Sequence, residues 1–132
     1  MKRTPLLHAE LSQVIAAMGH GDMLMIGDAG LPIPDGPRRI DLALTLGVPR
    51  LHEVLDAVLS ELTVESAVVA QEALAPGQTR PQWYPAALDV APQIVPHTEF
   101  KQRGAKARAF VRTGECTAYA NILLVAGVSF PI

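Results

Sequence analysis

The sequence is poor in most of the features that advertise a function. It has one cysteine, Cys116, so an intrachain disulfide framework is excluded and the chain suits a reducing compartment. Aromatic residues make up 5% of it, so its core is expected to be mainly aliphatic. Neither sign of charge dominates: 11 Lys and Arg stand against 13 Asp and Glu, and no basic cluster offers a footprint for nucleic acid. No apolar run approaches the roughly 18 residues of a membrane span. Met1-Lys2-Arg3 could open a signal peptide, but Leu6-Leu7 gives way to His8 and Glu10 before an apolar segment develops. These absences lead us to expect a cytoplasmic protein with neither a nucleic-acid nor a membrane partner. The chain contains no P-loop, GxGxxG, CxxC, HExxH or GxSxG motif, so neither a nucleotide cofactor nor an activated nucleophile is implied. His8, His20, His52 and His97 lack metal-ligand spacing, and no metal is expected.

What is present is a chain of 132 residues, 49% of them hydrophobic. That suits one domain, residues 1–132, with a real core. Apolar residues at helical spacing predict helices over 8–18 (Leu11, Val14, Ile15, Met18) and 50–62 (Leu51, Val54, Leu55, Val58, Leu59, Leu62). Short apolar runs predict strands at Met23–Gly27, Val64–Ala70, Ile94–Val95, Ala107–Arg112 and Ile122–Ala126, with a weaker extended piece at Ile40–Leu44. The proline-rich segments 32–37 and 74–92 read as loops, the latter with room for a short helix between Gln82 and Leu88. Thr98 is placed to cap a helix reaching Arg103. Helices and strands alternate, so the fold class is α/β.

The most suggestive stretch is Gly19-His20-Gly21-Asp22, followed by the Met23–Gly27 run and by Asp28-Ala29-Gly30-Leu31-Pro32-Ile33-Pro34. Flanking glycines leave the His20 imidazole open to close approach. An unperturbed histidine titrates at about pH 6.5, so it can both give and take a proton at working pH. The alternative is a surface histidine making ordinary hydrogen bonds. Asp22 either caps the loop or orients His20. Asp28 falls just past a strand end, where ligands gather in α/β proteins. His97 lies at a second such junction. Tyr119 and Asn121 bracket Ala120 before the last strand, point to one side in extended chain, and between them donate and accept as a polyhydroxy ligand requires. Their alternative is to satisfy turn backbone. Trp83 and Tyr84 suit packing, with sugar stacking as the other option.

These same residues carry a family resemblance. The stretches 19–22 and 28–34, Arg39-Ile40-Asp41-Leu42-Ala43-Leu44, His97 with Glu99-Phe100-Lys101, and Arg112-Thr113-Gly114-Glu115-Cys116-Thr117-Ala118-Tyr119-Ala120-Asn121 resemble, in that order, the family of ribose pyranases and fucose mutarotases. The 28–34 turn is similar to that of the ribose branch. The resemblance spans nearly the whole chain and is weakest over 74–92. It implies a layered α/β domain and a ring-shaped homo-oligomer, typically a decamer, with sites near subunit contacts. It also implies a sugar ring-form isomerase acting on D-ribose without a cofactor, with His20 as proton donor. Asp28, His97, Tyr119, Ala120 (through its backbone) and Asn121 would hold the sugar. A mutarotase for another sugar, or a non-catalytic sugar-binding accessory protein, are the rival readings. The catalytic base is left open among His97, Tyr119 and a bound water.

Overall fold

A computed structural model describes residues 1–131. Among these residues the elements are helix α1 (Ala9–Ala17), strand β1 (Met23–Gly27), β2 (Arg38–Asp41), helix α2 (Leu51–Leu59), β3 (Val64–Ala70), β4 (Gln93–Val95), helix α3 (His97–Gly104), β5 (Ala109–Arg112) and β6 (Ile122–Ala126). The strands form one sheet in the order β2-β5-β1-β6-β3-β4. β1, β2 and β5 run parallel to one another, as do β3 and β4, while β6 runs antiparallel to both β1 and β3. Five strands therefore point one way and β6 the other. The carboxyl ends of β1 to β5 and the amino end of β6 share one edge of the sheet.

The alternation of side chains along each strand feeds two cores. Leu24, Ile26, Ile40, Val69, Val111, Ile122 and Leu124 face a layer built from Leu11, Val14 and Ile15 of α1 and Leu51, Val54, Leu55 and Val58 of α2. Met25, Val68, Phe110 and Leu123 face the other way, onto Phe100 of α3 and Leu31. Because the inner strands are covered on both faces, their sequences read as apolar runs rather than as alternation. α1 opens with His8 as its cap, whose Nδ1 accepts from the Leu11 amide at 3.1 Å. His8 is thus occupied structurally.

Most sequence-predicted elements are present, with four corrections. The extended piece expected at Ile40–Leu44 is β2, displaced to Arg38–Asp41, because Arg38 and Arg39 pair with β5 rather than staying in the preceding loop. No helix forms between Gln82 and Leu88. Pro81 and Pro85 instead accept turn hydrogen bonds from the Tyr84 and Leu88 amides. α3 begins at His97, and Thr98 does not cap it. The Glu72 carboxylate does so from outside, accepting from the His97 amide at 3.0 Å. α1 spans Ala9–Ala17 rather than 8–18, because Met18 turns extended.

Candidate functional site

The shared sheet edge carries a cleft of about 610 Å³ lined by Asp28, Leu46, His97, Arg112, Tyr119 and Asn121, among others. That volume lies in the range of small-molecule sites. Asn121 organises it. The residue is buried, and its Oδ1 accepts the Asp28 backbone N–H at 2.7 Å. Asp28 in turn folds its carboxylate over the Gly30 amide, 2.8 Å away. The turn after β1 is thus pinned from the residue that precedes β6, 93 residues further along the chain. Gly27 makes room for this: a Cβ there would lie 3.0 Å from Asn121 Oδ1 and closer still to Leu31. With Oδ1 engaged, the Asn121 amide NH2 is the group left to reach a ligand.

Tyr119 stands beside this pair with φ of +59°, an uncommon conformation for a non-glycine residue. The Asn121 N–H donates to the Tyr119 carbonyl at 2.8 Å, and the phenol ring meets the His97 ring edge-on at 5.1 Å. His97, on the first turn of α3, also lies against Phe100. Its Nδ1 is buried and has no hydrogen-bond partner among the described residues. A buried polar atom without a partner is costly, and this one belongs to a residue that lines the cleft.

Two further residues hold the rim and escaped the sequence reading. Arg112 donates from Nε to the Ala29 carbonyl and from Nη1 to Asp41, both at 3.1 Å. Asp41 and Arg112 are register partners on parallel β2 and β5, a pairing that nothing in the linear chain announces. Glu115 accepts from the Leu51 amide at the start of α2 and from the Cys116 and Thr117 amides and the Thr117 hydroxyl. Burial works against its charge, but these bonds prevail and hold the carboxyl below its usual range. Cys116 also lines the cleft, exposed, its Sγ directed at the Gly114 carbonyl. Trp83 and Tyr84 do not line it. Tyr84 is buried and donates to the Val90 carbonyl at 2.6 Å, and Trp83 packs on the core.

The fold thus gathers Asp28, His97, Tyr119 and Asn121 around one cleft, whereas Ala120, expected to reach the sugar through its backbone, is fully buried between Tyr119 and Asn121 in the chain and does not line it. It does not bring His20 to them within one chain. His20 precedes β1 and Asp28 follows it, so the strand alone separates them by roughly 15 Å. At its own edge His20 sits in a tight turn, the Asp22 amide donating to the Gly19 carbonyl at 3.1 Å. Gly21 supplies the positive φ, +85°, that such a turn needs at its third residue. Asp22 does not orient the imidazole. Its carboxylate accepts from the Gly19 amide and from Arg108, and both bonds lower its pKa. The imidazole partner is Glu65, at 2.9 Å from Nε2.

Among the described residues, no helix is long and apolar enough to cross a membrane, and no three His, Cys, Asp or Glu side chains group closely enough to hold a metal ion.

Comparison with known proteins adds four findings. Residues 1–129 match the model of the RbsD / FucU transport protein family. The chain is 64% identical, over 98% of its length and all of the relative's, to a protein of Variovorax paradoxus named D-ribose pyranase. Among solved structures it is similar to Bacillus subtilis RbsD complexed with D-ribose, with a TM-score of 0.90 and 37% identity, covering 98% of this chain and all of that one. The fucose mutarotase of Streptococcus pneumoniae, in complex with L-fucose, shares the fold at a TM-score of 0.75 and 24% identity, with the same coverage.

Proposed function

This chain belongs to the RbsD / FucU transport protein family, and from that premise we propose that it is an isomerase interconverting the pyranose and furanose forms of D-ribose, with exchange of anomers. The observation that carries the reading is the gathering of Asp28, His97, Tyr119 and Asn121 around one cleft of monosaccharide size. A relative 64% identical over the whole chain bears the name of that activity, and the best-matching fold described above was solved with D-ribose. A mutarotase acting on fucose has weaker support, because that likeness extends to the fold alone.

The reaction needs one proton placed on the ring oxygen and one removed from the anomeric hydroxyl. The ring C–O bond then breaks to give the open-chain aldehyde, and a different hydroxyl closes on the carbonyl carbon. In our reading the Asp28 carboxylate, His97, the Tyr119 phenol and the Asn121 NH2 grip the sugar hydroxyls. His20 delivers the proton to the ring oxygen, and the anomeric hydroxyl gives its proton to His97, Tyr119 or a bound water. Positioned acid–base groups supply about 10²–10⁴-fold, which suffices for a ring opening that already proceeds in water.

His20 and the cleft occupy opposite edges of one sheet, so the complete site draws on two copies of the chain: the cleft of one and His20 of its neighbour. The unusual exposure of apolar side chains at both edges supports this. Leu44 and Leu46 are 81% and 80% exposed near the cleft, and Phe130 is 73% exposed on the segment that leaves β6 beyond His20. Such side chains mark interaction surfaces. We therefore propose a cytoplasmic homo-oligomer, a decamer in the form the sequence resemblance implies, built from a single domain over residues 1–132.

Saturation-transfer NMR on ribose tests the reading. His20→Ala is expected to bind ribose normally and to lose the protein-dependent exchange. Asn121→Ala is expected to lose it through weakened binding. Co-expression of the two variants in one assembly is expected to restore part of the rate. Full exchange by His20→Ala would remove that residue from the mechanism, and two inactive variants that never complement would refute the shared site.

A further inference from the structure

We infer that Glu65 is a positioning residue for His20: it fixes the imidazole with Nε2–H directed at the Glu65 carboxylate and Nδ1 as the nitrogen presented to the sugar. The inference rests on the reading of His20 as the proton donor and adds to it which nitrogen acts and what aims it.

Three observations converge on Glu65. Its Oε2 lies 2.9 Å from His20 Nε2, a contact made between residues 45 apart in sequence. A carboxylate can only accept, so Nε2 must carry a hydrogen; the proton given to the sugar then leaves Nδ1 of the imidazolium, and its departure yields the neutral ring with Nε2–H and a lone pair on Nδ1. Second, Glu65 sits where the β3–β6 ladder slips. Val64 lies opposite Ala126 and Ser66 opposite Val125, so Glu65 is an extra residue in β3. A bulge of this kind turns one side chain out of the regular alternation, and bulges recur beside active sites for that reason. Third, the neighbouring position is Gly127, where a Cβ would come within 3.1 Å of the Glu65 Cβ. The chain leaves that space beside Glu65 clear.

Stability does not account for the arrangement. Both side chains are substantially exposed, 62% for His20 and 45% for Glu65, and an exposed pair of this kind adds little to folding. Nor is the pair one member of a larger ionic cluster that would form regardless. The nearby Asp22 is already engaged with Arg108 and the Gly19 amide. What the contact does fix is the tautomer and the ring plane, which is how a carboxylate behind a histidine commonly acts. Proton delivery to a ring oxygen requires a defined nitrogen at a defined angle, and a freely rotating imidazole on a glycine-flanked turn provides neither.

The test uses the intact protein and its Glu65→Ala and Glu65→Gln variants. Long-range ¹H–¹⁵N correlation of the His20 ring reports the tautomer, and NMR exchange of ribose reports kcat and KM separately. In the wild type the neutral ring is expected to be protonated at Nε2. In Glu65→Ala the ring nitrogens should shift toward a mixture of tautomers and kcat should fall roughly tenfold to a hundredfold, a share of the factor a positioned acid–base group supplies, with KM unchanged. Glu65→Gln retains an acceptor oxygen at the same reach, so it should restore the tautomer and much of kcat. An unchanged tautomer, or a changed one with wild-type kcat, overturns the inference. Full exchange by His20→Ala would instead strike the reading beneath it, and the tautomer result would stand apart from that failure.

Discussion

Replacing Asn121 by alanine strikes the contact on which the cleft is built. The side chain is 1% exposed, and its Oδ1 receives the Asp28 amide at 2.7 Å. Removing it strands that donor in a part-buried turn, at a cost of about 1–3 kcal/mol. At fixed protein concentration this should lower Tm by roughly 4–12 °C. Binding should suffer on two counts: the Asp28 carboxylate loses its placement, and the Nδ2 donor disappears. One lost hydrogen bond of about 1.4 kcal/mol corresponds to tenfold in Kd, so ribose affinity by calorimetry should fall about tenfold or more. Asp28→Ala supplies the contrast. It removes the carboxylate that bonds the Gly30 amide but leaves the backbone amide held by Asn121, so affinity should fall while Tm moves less. Wild-type Tm and wild-type affinity in Asn121→Ala would refute the idea that Asn121 organises the turn after β1.

Two further outcomes follow from the rim of the cleft. Gly114→Ala would set a Cβ 2.6 Å from the Thr45 carbonyl oxygen and the Val48 nitrogen. Backbone atoms cannot step aside as a side-chain tip can, so the variant should lose about 1–3 kcal/mol in urea denaturation, and wild-type stability would show the 45–48 loop to be pliant. Glu115 has a folded pKa held below its ordinary 4.5, so its contribution to stability is full above that pH and is lost as pH falls through the folded value. Denaturation midpoints taken between neutral and acid pH should fall more steeply below about pH 4.5 in the wild type than in Glu115→Gln; parallel curves would count against the role of its four hydrogen bonds.

The chain's own order of residues determined a good deal. The stripes Leu51–Leu62 and Leu11–Met18 and the runs at 23–27, 64–70 and 122–126 gave helices and strands close to those observed, because burial periodicity is a local property of sequence. Asp28, His97, Tyr119 and Asn121 were also legible, each at an element junction where chains turn and side chains project. What local order could not supply was anything decided by register. Which edge of the sheet each residue reaches depends on β6 running antiparallel between β1 and β3. Pairing of β6 with β1 brings Asn121 to the Asp28 amide, pairing of β2 with β5 brings Asp41 to Arg112, and the length of β1 sends His20 to the far side. Glu65 was unreadable for the same reason: in sequence it is one more polar residue in a strand, and only a one-residue slip against β6 turns it toward an imidazole 45 positions away. Hydrophobic spacing is written along the chain, whereas the pairing of distant polar groups exists once the strands have chosen their neighbours.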